Sequence, residues 1–224
     1  MDFIFMVTIP LAPKLTKSLM ENSMKMIQLE RDNLKMELNF LKSQVSPHFL
    51  FNILNSIYRM SETKDPKTPK TIIQLSNLMR YVLYEVKDSK IILAKEVDFI
   101  KNYIELAKVR YGERVTIKDD IPEFQEPYEI IPLILIPFVE NAFKHGPDRS
   151  RDNSYVKVFL RVYNDKLIFL VENAVKHEID KAEYGGVGME NVVRRLELHY
   201  PGHHFLDIKQ NKGKYLVKLT VDLK

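Results

Sequence analysis

Hydrophobic positions in the first quarter of the chain recur at helical spacing. Met20, Met24, Ile27, Leu34, Leu38, Leu41 and Val45 alternate steps of three and four, interrupted at Arg31, with Glu30, Lys35 and Glu37 around the seam. This pattern predicts a helix of coiled-coil type from about Ser18 to Tyr58, and so narrow a stripe needs a partner helix. Beyond Pro47 the apolar set widens to Phe49, Leu50, Phe51, Ile53, Leu54 and Ile57, a face suited to a bundle core. The polar stretch Ser61 to Lys70, with two prolines, predicts a helix–helix connection. A second helix is predicted from about Thr71 to Val86, with Ile72, Leu75, Met79, Val82 and Leu83 on one face. A third is predicted from about Lys95 to Tyr111.

After Gly112 the period changes. Val115 to Ile117 predicts a short strand, Ile121 to Pro127 a loop, and Pro132 to Lys144 an apolar helix opened by proline. Tyr155 to Tyr163 and Lys166 to Glu172 alternate as strands and meet at Asn164-Asp165, a two-residue hairpin signal. A helix from about Gly188 to His199 and two strands, His204 to Gln210 and Lys214 to Leu223, complete the pattern. Helices alone followed by strands mixed with helices predict two folding units, the second an α+β sandwich, with the change near residues 88–112.

Composition narrows the chemistry. The 224 residues contain no cysteine, which excludes disulfides, cysteine-held metals and thiol catalysis. The net charge of +4 comes without a basic run interleaved with aromatics, so nucleic acid is not an expected partner. The apolar run Phe3 to Ala12 falls short of the about 20 residues that span a bilayer, and no basic region precedes it as in a signal peptide. It reads either as a locally packed end or as the remnant of a membrane helix (residues 1–17).

Four clusters could carry chemistry. In Ser46-Pro47-His48-Phe49-Leu50-Phe51-Asn52, helical spacing sets His48 and Asn52 on one face while Phe49, Leu50 and Ile53 point elsewhere, toward a core. An imidazole titrating near neutrality is a competent nucleophile, although a single helical histidine is more often structural. In Glu140-Asn141-Ala142-Phe143-Lys144-His145-Gly146, Glu140, Asn141 and Lys144 share a face. Their oxygens suit magnesium and their cations suit phosphate, whereas a solvated helix end capped near Gly146 would look the same. Gly185-Gly186-Val187-Gly188-Met189-Glu190-Asn191 holds three of the seven glycines ahead of an amphipathic helix, the pattern of a phosphate-approaching lid or of an ordinary flexible loop. A polar loop precedes it rather than a strand, and no Gly-Lys-Ser/Thr follows, which excludes dinucleotide-binding and P-loop folds. Glu172-Asn173, finally, closes an apolar strand where a polar side chain could read a base edge.

Together, in this order, the motifs resemble the LytS-type sensor histidine kinases. The phosphoacceptor stretch Ser46 to Asn52, the N-box Pro137 to Gly146 and the lid and helix from Gly186 to Leu196 carry the likeness. Leu78 to Tyr81 and Tyr103 to Arg110 extend it over about residues 34 to 223. The resemblance implies a dimerisation and histidine-phosphotransfer helical hairpin (residues 18–92, a four-helix bundle as a homodimer). An ATP-binding α/β sandwich of GHKL, or Bergerat, type (residues 93–224) follows it. It implies autophosphorylation of His48 from Mg-ATP and transfer to an aspartate of a response regulator, of LytTR type in this family. Asn141 would hold Mg2+, with Glu140 as general base or water-positioning group. Lys144 and His145 would face the phosphates, and Gly186, Gly188 and Asn191 would form the lid and helix start. Asn173 stands where the superfamily has an adenine-reading aspartate, and can accept the same hydrogen bond without charge assistance. Phe49 stands where many histidine kinases have an acid, which leaves Asn52 to orient the imidazole or a water. The family works at the cytoplasmic face of the membrane, and this chain by itself reads as soluble and cytoplasmic, its input expected from upstream sequence, from a partner, or from nothing. A pseudokinase or scaffold that binds nucleotide weakly is the competing expectation.

Overall fold

A computed structural model describes residues 17, 19–20, 22–28, 31, 47–85, 89–146, 154–175, 187–211 and 213–224. The chain divides into two compact units, Met1–Lys42 and Ser43–Lys224. In the first, the described residues are helical, and Met20, Met24 and Ile27 of the predicted seam are exposed. Leu34, Leu38, Leu41 and Val45 lie outside the described residues.

The second unit opens with a helical hairpin, α1 (Pro47–Glu62) and α2 (Thr68–Tyr84). Pro47 begins α1, where no amide hydrogen is required. Steps of four and three bury Phe49, Ile53 and Ser56 on one face of α1. The turn is built by local polar groups. Lys64 takes a left-handed φ of 53°, its amide donates to the Ser61 carbonyl, and Asp65 accepts the Lys67 amide at 2.8 Å. Pro69 in the first turn of α2 starts the return helix. The buried positions of α2 are Thr71, Leu78, Tyr81 and Val82. Of the face read from the sequence, Val82 is buried and Leu75 half-buried, whereas Ile72, Met79 and Leu83 are exposed.

A two-residue strand, β1 (Ile91–Ile92), leads into α3 (Leu93–Tyr111), which ends at Gly112 with φ of 56°. Because α3 packs against the hairpin on one side and the sandwich on the other, its buried positions run most of the way round, from Leu93 to Tyr111. Strand β2 (Thr116–Asp120) follows a short 3-10 turn, and β3 (Glu129–Ile130) pairs antiparallel with β1. These two brief strands are too short to leave a period in the sequence.

The remaining elements are α4 (Ile136–His145), β4 (Tyr155–Tyr163), β5 (Lys166–Ala174), α5 (Val187–His199), β6 (His204–Asn211) and β7 (Lys214–Asp222). Five strands form one sheet in the order β2-β4-β5-β7-β6, with β2 parallel to β4 and every other pair antiparallel. At the β4–β5 turn Asn164 and Asp165 take φ of 50° and 59°, the conformation their short polar side chains tolerate. Alternation buries one face: Val158, Val171 and Val217 lie in register across three strands, as do Leu160, Phe169 and Leu219. Helix α4 packs against β5, with Phe138 tilted on Phe169 at 6.4 Å, and α5 buries Val192 and Leu196. On the opposite face residues such as Phe159 and Leu170 are half-exposed. The result is the expected order, helices first and then an α/β sandwich with one open sheet face.

The start of the apolar helix also differs from its sequence reading. The apolar helix begins at Ile136, not Pro132, and Pro137 rather than Pro132 occupies its first turn. Residues 131–135 are irregular because their backbone groups are bonded to buried side chains: Leu133, at φ of 56°, and Leu135 donate to Glu96, while Arg195 donates to the Pro132 carbonyl.

Candidate functional site

Burial of Phe49 and Ile53 turns the other side of α1, with His48, toward solvent. Asn52, one turn on, donates its side-chain amide to His48 Nε2 at 3.1 Å. The same amide lies 3.4 Å from Nδ1, so it faces both ring nitrogens and restrains the ring without selecting a tautomer. Phe49 stacks on Tyr103 of α3 with centroids 4.2 Å apart, and Tyr103 is tilted against Phe143 of α4 at 6.0 Å. An aromatic relay thus links the residue after His48 to the helix that carries Glu140 and Asn141. Burial, then the neighbouring Glu140 charge, holds the Tyr103 phenol well above its ordinary value, so it stays neutral.

Helix α4 buries Phe138, Val139, Ala142 and Phe143, leaving Glu140 and Asn141 half-buried and Lys144 exposed. Asn141 Nδ2 is buried without a hydrogen-bond partner among the described residues. The helix ends at Gly146, whose amide donates to the Ala142 carbonyl at 2.9 Å. A Cβ at this glycine would lie 2.8 Å from the Ala142 oxygen and 3.3 Å from both Cβ and Nδ2 of Asn173. Glycine therefore lets the end of α4 close directly onto Asn173.

Asn173 occupies an inward position of β5, in register with Val156 and Tyr215, and is wholly buried. Its Nδ2 donates to the Ala174 carbonyl at 3.1 Å, while Oδ1 has no partner among the described residues. A buried amide oxygen aligned with an otherwise apolar row has lost its hydration, and a donor from a ligand would restore a bond. Its neighbour Glu172 faces the other way, where burial raises its carboxyl but Lys157, at 3.1 Å, and Tyr155 outweigh that and hold it below its ordinary value. The structure thus separates a solvent-side ion pair from the buried asparagine beside it.

Gly188 lies exposed in the first turn of α5, where an added Cβ would meet nothing within 4 Å, and Asn191 is half-buried one turn on. Gly186 lies outside the described residues. No cluster of three His, Asp or Glu side chains suited to a metal occurs among the described residues. Magnesium commonly takes one or two protein oxygens and completes its shell with phosphate and water, and the Asn141 side chain is a donor of that kind. The unpartnered Asn173 oxygen likewise fits an adenine amino group.

Three residues escaped the sequence reading. Glu96 resembles an ordinary first-turn helix acid, Arg195 an ordinary surface cation of an amphipathic helix, and Tyr103 a plain core aromatic. Only the tertiary structure reveals their burial; the separation of Glu96 from its partners Leu133 and Leu135 leaves no local pattern.

The family profile described as histidine kinase matches residues 36–115, which include α1, α2 and α3. The chain is 34% identical over 179 residues to the sensor histidine kinase YpdA of Escherichia coli K12, covering 74% of this chain and 31% of that protein. It is 31% identical over 172 residues to the sensor protein LytS of Staphylococcus haemolyticus, covering 71% of this chain and 30% of LytS. The chain thus spans less than a third of the length of these relatives. Among solved structures, the histidine kinase domain of the Erythrobacter litoralis EL346 blue-light activated kinase aligns with a TM-score of 0.47 at 15% identity. That alignment covers 86% of this chain and 96% of the domain. The chain is thus similar to the histidine kinases, through the family match over residues 36–115 and through these relatives. Among them, its sequence kinship is with the LytS-type sensor kinases.

Proposed function

We propose that this chain is the transmitter region of a two-component sensor kinase, in which His48 takes the γ-phosphoryl group of ATP and passes it to an aspartate of a response regulator. The observation that carries the reading is the exposed His48 imidazole, oriented by Asn52 on a helix whose opposite face is anchored by Phe49 and Ile53. Bound Mg-ATP supplies the phosphoryl group and the charge neutralisation that such transfer needs. The unprotonated ring nitrogen of His48, released from the Asn52 amide, attacks the γ-phosphorus; the new bond is N–P, the bond to the β–γ bridging oxygen breaks, ADP leaves, and the proton on the other ring nitrogen passes to a base or to solvent. Asn52 holds the ring in one rotamer. Asn141 offers the magnesium ligand and Glu140 a proton acceptor or water-positioning group. Lys144 and His145 serve the phosphates, Asn173 Oδ1 the adenine amino group, and Gly186, Gly188 and Asn191 the lid and the start of its helix.

The domain roles follow the same reading: residues 18–92 dimerise and carry phosphate, and residues 93–224 bind ATP. Phe51, Leu54, Ile72, Ile73 and Leu83 are exposed on α1 and α2, apolar surface that a second hairpin would cover in a homodimer. A response regulator of LytTR type is the partner that the kinship suggests. A site at the cytoplasmic face of the membrane is assigned to the longer protein; no described helix here is long and apolar enough to cross a bilayer.

Asn173 supports a second reading, a pseudokinase or scaffold, because a neutral amide gives adenine a weaker bond than a carboxylate. Incubation with γ-labelled ATP and magnesium separates the two. Acid-labile label in the wild type, absent in His48→Gln and in Asn141→Ala, supports the kinase. Bound ATP without label in the wild type supports the scaffold.

A further inference from the structure

Among the described residues the charged side chains in the core are Glu96 (0% exposed) and Arg195 (7%). Glu96, in the first turn of α3, accepts hydrogen bonds from three places. Tyr81 of α2 donates its hydroxyl, and the Leu133 and Leu135 amides donate at 2.9 and 3.2 Å. Arg195 of α5 donates to the carbonyls of Pro132 at 2.7 Å and Leu133 at 3.3 Å, and the Ile131 amide donates to the Tyr200 hydroxyl at 3.2 Å. The irregular segment 131–135 is therefore bonded by side chains of α3 and α5 and by Tyr200, just past the end of α5. It leads without a break into α4, which carries Glu140 and Asn141.

Stability alone does not account for this arrangement. Removing a carboxylate and a guanidinium from water is costly, and well-packed apolar groups of similar volume commonly serve a core as well or better. The bonds do, however, fix the backbone ahead of α4 in a conformation that neither a helix nor a strand would give, including the left-handed Leu133. Tyr81, stacked on Phe99 at 4.4 Å, brings the hairpin into the same network through its hydroxyl.

We propose that Glu96 is a positioning residue that joins the second hairpin helix, through Tyr81, to the start of α4, so that the arrangement of the hairpin bears on the nucleotide site. The assignment of that site rests on the function proposed above. Helix α5, with Gly188 and Asn191 at its start, enters the same linkage through Arg195. A displacement of α2 would loosen the Leu133 and Leu135 amides and shift Asn141; bound nucleotide, by reciprocity, would tighten them.

The test combines amide hydrogen exchange with binding of a fluorescent ATP analogue in the full chain. Tyr81→Phe keeps the ring on Phe99 and removes only the hydroxyl. Its expected effect is about tenfold faster exchange at Leu133 and Leu135 and about tenfold weaker analogue binding, the scale of one bond to a charged group. Glu96→Ala should exceed Tyr81→Phe, and Glu96→Gln, which keeps one acceptor oxygen, should recover part of the loss. Leu78→Ala, on the same helix but outside the network, should lower thermal stability without selectively accelerating those two amides. If Tyr81→Phe lowers stability but leaves both exchange and affinity as in the wild type, the bond is only structural and the proposal is overturned. If the Glu96 variants fail to fold, Tyr81→Phe still decides. A wild type that does not bind the analogue overturns the nucleotide reading instead, and exchange at Leu133 and Leu135, which needs no nucleotide, still decides the coupling.

Discussion

Phe49 and Phe51 are two residues apart on α1, yet 1% and 66% of their surfaces are exposed. Phe49→Ala removes a fully buried ring and its stack on Tyr103 at 4.2 Å. Truncation of a core phenylalanine costs about 3–5 kcal/mol, which includes the cavity left behind. Of this, the ring pair accounts for about 0.5–1.5 kcal/mol beyond its buried area. In a protein of this size the loss corresponds to a fall in melting temperature of about 6–20 °C. Phe51→Ala removes a ring of the same size from the solvent-facing side and should cost the isolated fold about 0.5 kcal/mol or less. Urea unfolding followed by circular dichroism, repeated over a range of protein concentration, separates the two. The Phe49→Ala loss should be independent of concentration. Any larger loss for Phe51→Ala should appear only where the wild type associates, since it would come from a partner hairpin. A Phe49→Ala loss below about 1 kcal/mol, or an equal concentration-independent loss for both variants, would refute the anchoring of the His48 helix on α3.

Three further outcomes follow from the site. Gly146→Ala drives a Cβ to 2.8 Å from a backbone oxygen and 3.3 Å from Asn173. It should cost about 1–3 kcal/mol in urea unfolding and weaken nucleotide binding measured by calorimetry. Asn173→Asp should tighten ATP about three- to tenfold through a charge-assisted bond, while lowering the melting temperature of the ligand-free chain because the carboxylate is buried; unchanged affinity would remove Asn173 from the adenine role. Burial raises the Glu96 carboxyl above its ordinary 4.5, against its hydrogen bonds and the Arg195 charge. The folded chain then holds that proton more tightly than the unfolded chain. This contribution to stability is complete below the unfolded value and is lost as pH rises through the folded one. Relative to Glu96→Gln, wild-type stability should therefore rise in urea titrations as pH falls from above the raised folded value toward the ordinary carboxyl range; a constant difference would contradict the raised value.

The parts of the fold visible in the sequence are those set by local preference. Asn164-Asp165 marked its turn because short polar side chains tolerate positive φ, and β4 and β5 declared their buried face through alternation. The motif around His48 was equally readable, since Phe49 and Ile53 had to point away from His48 and Asn52. What stayed hidden depends on residues distant in sequence. Pro132 looked like a helix opener because its apolar surroundings gave no sign that Glu96 and Arg195 would take the backbone bonds of residues 132–135. The face of α2 followed its apolar period, yet α3 buried Tyr81 and left Ile72 and Leu83 exposed. Asn173 was recognisable as polar at a strand end; its complete burial and unpartnered oxygen came only with the sheet register and the close approach of Gly146.

The central claim is that His48 carries the phosphoryl group, and mapping it by mass spectrometry under alkaline conditions tests this most directly. After incubation with Mg-ATP, the peptide containing residues 47–59 should carry one phosphoryl group on the imidazole of His48, and acid should remove it. Phosphorylation on another residue, or an unmodified His48 in protein saturated with ATP, would contradict the account.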